Sequence, residues 1–259
     1  AAAWRTSFKC LGRWPFHRCH RWAYGGVGIG VIHTTSRGVA LSNRIGDGAD
    51  ALIEIFEKKD KIQTLLGLEE GVQVLDLSNK QMDPGQAKIL AAEIRLRRFT
   101  AAIARLSISG NLITGSQPWN GVYDKDLSGL ISLCDALLAL KNPIELDLSG
   151  CGLSVNGVNP VTKAISAGAA LNSVTVDSTG NMRRQQTYTL TTGEEKIDLS
   201  KKNLGSADVA LVAAWLQRPE VMAAVAKVVL ESNPIGFPVA KFTRELAIGD
   251  VQEGMFVMH

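Results

Sequence analysis

One eleven-residue string recurs along this chain and restricts its fold more than any other feature. Apolar residues stand at positions one, four, six and eleven, and Asn or Cys stands at position nine. The stretch Ile103–Ile113 meets every condition, with Leu106, Ile108 and Asn111 between its ends. So does Val225–Ile235, with Val228, Leu230 and Asn233. Leu146, Leu148, Cys151 and Leu153 fit with Pro143 spoiling the first position, and Val72–Met82 fits except for Lys80. Ile197, Leu199 and Leu204 fit the last three apolar positions; Leu171, Val174 and Val176 keep the strand and lose the pattern at Thr179.

Taken as equivalent, Leu75, Leu106, Leu146, Val174, Ile197 and Val228 are spaced by 31, 40, 28, 23 and 31 residues. Helical stripes of period 3.6 lie between most of them: Gly85–Arg97, Leu127–Leu140, a shorter Pro160–Leu171, and Ala207–Leu216. Asp83-Pro84 and Ser206 are helix start signals. A unit of one short strand and one helix cannot bury its apolar face alone, so neighbours must stack. The fixed Asn or Cys belongs inside the turn after each strand. There it satisfies backbone groups that would otherwise be buried unpaired, Asn with a full amide and Cys only weakly.

The strings LDLSNKQM, LSISGNLI, LDLSGCGL, IDLSKKNL and VVLESNPI resemble the leucine-rich repeat family, in its long ribonuclease-inhibitor-like type. The resemblance covers about residues 72–236. It implies an α/β fold, a short leucine-rich-repeat solenoid with parallel strands on the concave face and helices on the convex face. The unit beginning at Val174 departs from the family, having 23 residues and no clear helix; Arg184–Gly193 reads as an extended excursion turning at Gly193. Residues 47–71 read as an N-terminal capping helix carrying Ala51, Leu52, Ile55, Phe56 and Leu65. Residues 237–259 read as a C-terminal cap or tail.

Chemistry is hard to place on this pattern. Strand residues directed away from the core include Asp76, Ser107, Asp147, Thr175, Asp198 and Val229, but Asp-Leu-Ser is the ordinary filling of this repeat type. All four histidines are near the ends, at His17, His20, His33 and His259. The glycines at 25, 26, 28 and 30 give neither a P-loop nor GxGxxG. Cys10, His17, Cys19 and His20 lack paired zinc spacing at both ends. No catalytic residue, cofactor, metal or small-molecule substrate is expected. Cys134 and Cys151 read as small buried hydrophobes.

Charge is distributed unevenly. Residues 1–46 form a basic extended arm with seven Lys and Arg and no acidic residue, leaving 21 basic against 25 acidic residues in the remainder. Trp4, Arg5, Lys9, Arg13, Trp14, Arg18, Arg21 and Trp22 are the candidate partner-binding residues, able to contact other protein subunits, lipid head groups or RNA phosphate. The arm's composition also fits an organelle presequence, and the absence of Met at position 1 fits removal of an upstream segment. The longest apolar run, Trp22–Ile32, is too short and glycine-rich to span a membrane. The expected function is a non-catalytic interaction or scaffold protein. It would be an accessory subunit of a larger assembly, such as a mitochondrial respiratory or ATP synthase complex peripheral to the inner membrane, or otherwise one in another organelle or the cytoplasm. The alternative is an RNA-binding or ribosome-associated module using the arm.

Overall fold

Short parallel strands, each followed by a helix or a wide turn, build the body of this computed structural model. It describes residues 44–59, 61–68, 72–96 and 103–235, and the backbone of 256–257. The first helix, α1 (Gly48–Lys58), precedes β1 (Val74–Asp76), α2 (Pro84–Arg95), β2 (Arg105–Ser107) and α3 (Ser128–Leu137). Then come β3 (Ile144–Asp147), α4 (Val155–Ser166), β4 (Leu171–Asp177) and β5 (Thr187–Thr191). The chain closes with β6 (Lys196–Asp198), α5 (Ser206–Leu216), α6 (Pro219–Met222), β7 (Lys227–Val229) and β8 (Phe256–Val257). The fold is mixed α/β. Strands β1 to β4 are parallel and in chain order, with Leu75, Leu106, Leu146 and Val174 side by side. Each of the helices α1 to α5 packs on the next.

The eleven-residue string works as its spacing requires. Leu146, Leu148, Cys151 and Leu153 are all buried. Asn111 Nδ2 donates to Leu77 O and Ile108 O at 2.8 Å each, and its Oδ1 accepts from Met82 N at 3.0 Å. Asn233 repeats the arrangement, donating to Leu199 O at 2.8 Å and Leu230 O at 2.9 Å and accepting from Leu204 N at 3.0 Å. Each amide therefore ties the turn after its own strand to the turn after the preceding one. Cys151 Sγ donates weakly to Ile108 O, at 3.4 Å. Four residues after every aligned strand residue except Val174 the backbone turns left-handed, at Asn79, Gly110, Gly150, Lys201 and Ser232. Asn and Gly bear that conformation cheaply; Lys201 and Ser232 cost about 1 kcal/mol each.

The ladder is not continuous from Leu75 to Val228. Strand β5 pairs antiparallel with β4, and β6, β7 and β8 form a separate parallel sheet with Ile197 beside Val228. The 23-residue unit is too short for a strand, a helix and two turns. Its alternation Tyr188, Leu190 instead buries two side chains under a returning strand that occupies the place β6 would take. The expected excursion is this strand, with its turn at Gly193 (φ 80°). Contact between α4 and α5 keeps the helical layer together across the break. Below it, Gly180 N donates to Asn203 O at 3.0 Å. A Cβ on Gly180 would stand 2.4 Å from that carbonyl, so glycine is what lets the two backbones approach.

Aspartates start the helices. Asp83 closes a capping box with Gln86 on α2, and its Oδ2 also accepts from Ile45 N at 2.9 Å. Asp124, thirty residues ahead of α4, accepts from Ser154 N at 3.1 Å and Gly157 N at 2.8 Å. This moves the helix start from the expected Pro160 to Val155, because the first-turn N–H groups already have a partner when Pro160 is reached. Buried Asp208 accepts from Gly205 N and Thr179 N at 2.7 Å, Thr179 Oγ1 at 2.8 Å and Tyr188 OH at 2.9 Å.

The N-terminal cap is only half helical. α1 ends at Lys58, and within 61–68 the chain is irregular, with Leu65 and Leu66 buried. The buried Glu93 carboxylate on α2 is the reason. It needs donors, and Thr64 Oγ1 (3.0 Å), Leu65 N (2.5 Å) and Leu66 N (2.9 Å) supply them; in a helix those N–H groups would be spent internally. The expected tail at 237–259 lies outside the described residues except for the β8 backbone.

Two outcomes follow. Asn111→Ala strands two carbonyls and one N–H in the interior and lowers stability by about 3 kcal/mol, read by chemical denaturation; a loss near zero would mean the clamp is idle. Burial pushes the Glu93 carboxyl above its ordinary 4.5, against the opposing pull of the Leu66, Leu65 and Thr64 donors. The folded chain then holds a proton that the unfolded chain releases, so Glu93 costs stability as pH rises from 4.5 through the folded value. Glu93→Gln keeps Oε1 as acceptor and removes this cost. Its stability advantage over the parent is expected to grow across that window and stay constant above it.

Candidate functional surface

The sheet face turned away from the helices carries rows set by strand register. Val74, Arg105, Glu145, Ser173 and Thr191 form one row; Asp76, Ser107, Asp147, Thr175 and Thr189 form the next. Arg105 and Glu145 face each other at 3.9 Å with both side chains half exposed, which contributes little to stability. Thr175 and Thr189 hydroxyls are 2.9 Å apart, and Ser107 Oγ donates to Asp147 Oδ2 at 3.3 Å.

The Asp-Leu-Ser aspartates of the two sheets share one local device. Asp147 Oδ1 accepts from Ser149 N at 3.0 Å and Ser149 Oγ at 2.7 Å. Asp198 Oδ1 does the same with Ser200, at 3.1 and 2.7 Å. Asp76 accepts from the Ser78 amide at 2.9 Å and from its hydroxyl. The Asp-Leu-Ser triplet thus closes its own turn. The Ser78 hydroxyl and amide hold the Asp76 carboxyl below the usual carboxylate range. Lys196, at 2.8 Å, and then Ser200 do so for Asp198. Asp198 is on the second sheet, beside Val229, so it does not continue the row of Asp76 and Asp147. Asp177 is spent between strands, accepting from Gly150 N and Thr187 Oγ1 at 2.6 Å each. Asp177 thereby joins the β3 turn to β5, a link that the sequence pattern does not announce. Only the hairpin puts Thr187 within its reach.

On the opposite side, α1, α2 and α3 bound an open groove of about 500 Å³. Lys88 pairs with Asp50 at 3.0 Å and Arg95 with Glu57 at 3.5 Å, so its charges are largely balanced. A separate knob stands on the turn Pro118–Asn120, where Trp119 is 68% exposed.

The candidate partner-binding residues Trp4, Arg5, Lys9, Arg13, Trp14, Arg18, Arg21 and Trp22 lie outside the described residues, as do Cys10, Cys19 and the four histidines. Of the arm assigned to residues 1–46, Arg44 is described, and so are Ile45 and Gly46. Both donate to Asp83 Oδ2, so the arm's last residues belong to the body. Among the described residues no helix is long and apolar enough to cross a membrane. No protein-family model matches this sequence, and no curated protein matches it significantly.

Burial pushes the thiols of Cys134 and Cys151 up to about 12. With thiolate suppressed and access closed, both are expected to resist alkylation in the folded chain and to react once it is unfolded. Peptide mapping after alkylation reads this directly; labelling of Cys151 in the native protein would contradict its placement in the turn.

Proposed function

We propose that this chain is a non-catalytic docking protein, an accessory subunit of a larger assembly. On this reading its body is a short leucine-rich-repeat solenoid of the ribonuclease-inhibitor-like type, and the basic arm is its anchor. The observation that carries the reading is the duplicated amide clamp. Asn111 and Asn233 bond the same three positions of their strand–turn units, one in each sheet. Such recurrence supports stacked repeats, whose usual product is an extended recognition surface. The Asp-Leu-Ser turns support docking over turnover. Their carboxylates already hold the serine hydroxyls, leaving a face of fixed polar groups that suits complementary hydrogen bonding.

The arm supplies the other half of the proposal. Seven cations without an acidic residue, together with Trp4, Trp14 and Trp22, suit insertion into an acidic partner surface or against anionic head groups. The acid-free Arg- and aromatic-rich composition favours a mitochondrial setting, with the subunit peripheral to the inner membrane in a respiratory or ATP synthase complex.

Deleting residues 1–43, which keeps the bonds of Ile45 and Gly46 to Asp83, tests the anchor. Tagged full-length chain is expected to co-purify with a defined multiprotein complex, and the truncated chain to lose it. Retention at full yield without the arm would end the proposal. Recovered RNA, with binding that falls steeply as salt rises, would move the assignment to a nucleic-acid module.

A further inference from the structure

We infer that Asn120 is a site of spontaneous covalent modification, losing its side-chain amide to attack by the Gly121 nitrogen, whereas the fold holds the chain's other Asn-Gly pair, Asn156–Gly157, inert. The two pairs share the Asn-Gly sequence and both asparagines are exposed; Asn120 Nδ2 donates to Gln117 Oε1 at 3.2 Å, an exposed bond between side chains that leaves Cγ open to attack once the tip opens. A following glycine offers no side chain to hinder cyclisation. What separates the pairs is the state of the glycine N–H.

Asn120 ends the short turn at the tip of a loop, closed at its base by Gln117 N to Val122 O at 2.7 Å. Gly121 N has one bond, to Pro118 O at 3.1 Å, and the glycine is exposed. No atom comes within 4 Å of where its Cβ would stand, so the tip can open without disturbing packing. Gly157, in contrast, is buried in the first turn of α4, and its N–H donates to Asp124 Oδ2 at 2.8 Å. A Cβ there would stand 2.5 Å from Asp124 Oδ1. Reaching the Asn156 carbonyl carbon would require unwinding that turn. It would also require taking a proton from nitrogen while it is bonded to a carboxylate, which resists the negative charge that results.

At Asn120 base removes the Gly121 N–H proton, and the nitrogen bonds to Cγ. The Cγ–Nδ2 bond breaks, the amide nitrogen takes up the proton that the base removed, and it leaves as ammonia. Water then opens the cyclic imide at one of its two C–N bonds. Opening at Cγ gives aspartate; opening at the main-chain carbonyl gives isoaspartate, with an extra methylene in the backbone. Either product sets a carboxylate beside exposed Trp119. The second also breaks the spacing that lets Gly121 N reach Pro118 O, so this knob changes shape and charge as the protein ages.

The full chain is incubated, folded and in denaturant, in mildly alkaline buffer, then digested and mapped by mass and chromatography. In the folded chain the Asn120 peptide is expected to deamidate at least about tenfold faster than the Asn156 peptide, the protection that local structure confers on a held amide. In denaturant the two rates are expected to converge. Asn120→Gln, whose longer side chain cyclises slowly, is expected to abolish the fast product and leave Asn156 unchanged. Equal rates in the folded chain would overturn the inference, as would a rate difference that persists in denaturant.

Discussion

Everything in this fold rests on how the turn after a strand disposes of its buried backbone groups. Side chains cover a strand's faces, but the turn pulls carbonyls and N–H groups inward, where each unpaired one costs about 1–3 kcal/mol. A single buried amide solves this at Asn111, reaching Leu77 O, Ile108 O and Met82 N together. Two of those atoms belong to the preceding unit, so the same bonds that make the turn tolerable also attach it to its neighbour. Strand register follows, since Leu77 and Met82 must present themselves at the right height for Asn111. Where Cys151 replaces the amide, its sulfur bonds Ile108 O weakly, and the β3 turn relies more on Asp177, which takes Gly150 N.

The break between β5 and β6 shows what happens when a unit is too short to follow the rule. Thr179 occupies the place of the fixed Asn, and its hydroxyl and amide turn to Asp208 instead. Asp208 also collects Gly205 N and Tyr188 OH, so one carboxylate joins the end of β4, the returning strand β5 and the start of α5. Burial first, and then the charge of Asp208, push the Tyr188 hydroxyl well above its ordinary range, so it stays a donor. Four donors around one charge are what make a fully buried carboxylate tolerable. The hairpin exchanges a neutral amide clamp for an ionic one.

The recurrence was legible because the clamp demands a particular residue at a particular spacing: Asn111 and Asn233 are visible from spacing alone, as are the buried Leu146, Leu148 and Leu153. The four long helices between strands were legible from their apolar stripes. Position nine at Lys80, Thr179 and Lys202 marked where the rule lapses but not what replaces it. The replacements are long-range: Asp124 to Gly157, Asp208 to Thr179, Glu93 to Leu65 and Leu66. A carboxylate's partners some thirty residues away leave no periodic trace, so the start of α4 and the end of α1 were misplaced. The split sheet was hidden for a related reason. TYTLT announces a strand, yet the direction in which it pairs depends on where the turn before it lands.

The short-range carboxylates bear instead on what the outward face can offer a partner. In Asp76, Asp147 and Asp198 one oxygen is committed to the serine two residues on, which fixes the side chain and spares a partner the entropy of ordering it. The rows beside them are hydroxyls and the facing pair Arg105 and Glu145, whose weak mutual bond is easily exchanged for a ligand's. A surface of this kind rewards shape and hydrogen-bond match more than charge. The strong, sign-specific attraction in this chain is confined to residues 1–46. Under the proposed function the two therefore divide the work: the basic arm supplies long-range attraction, and the preorganised sheet face decides which partner is kept.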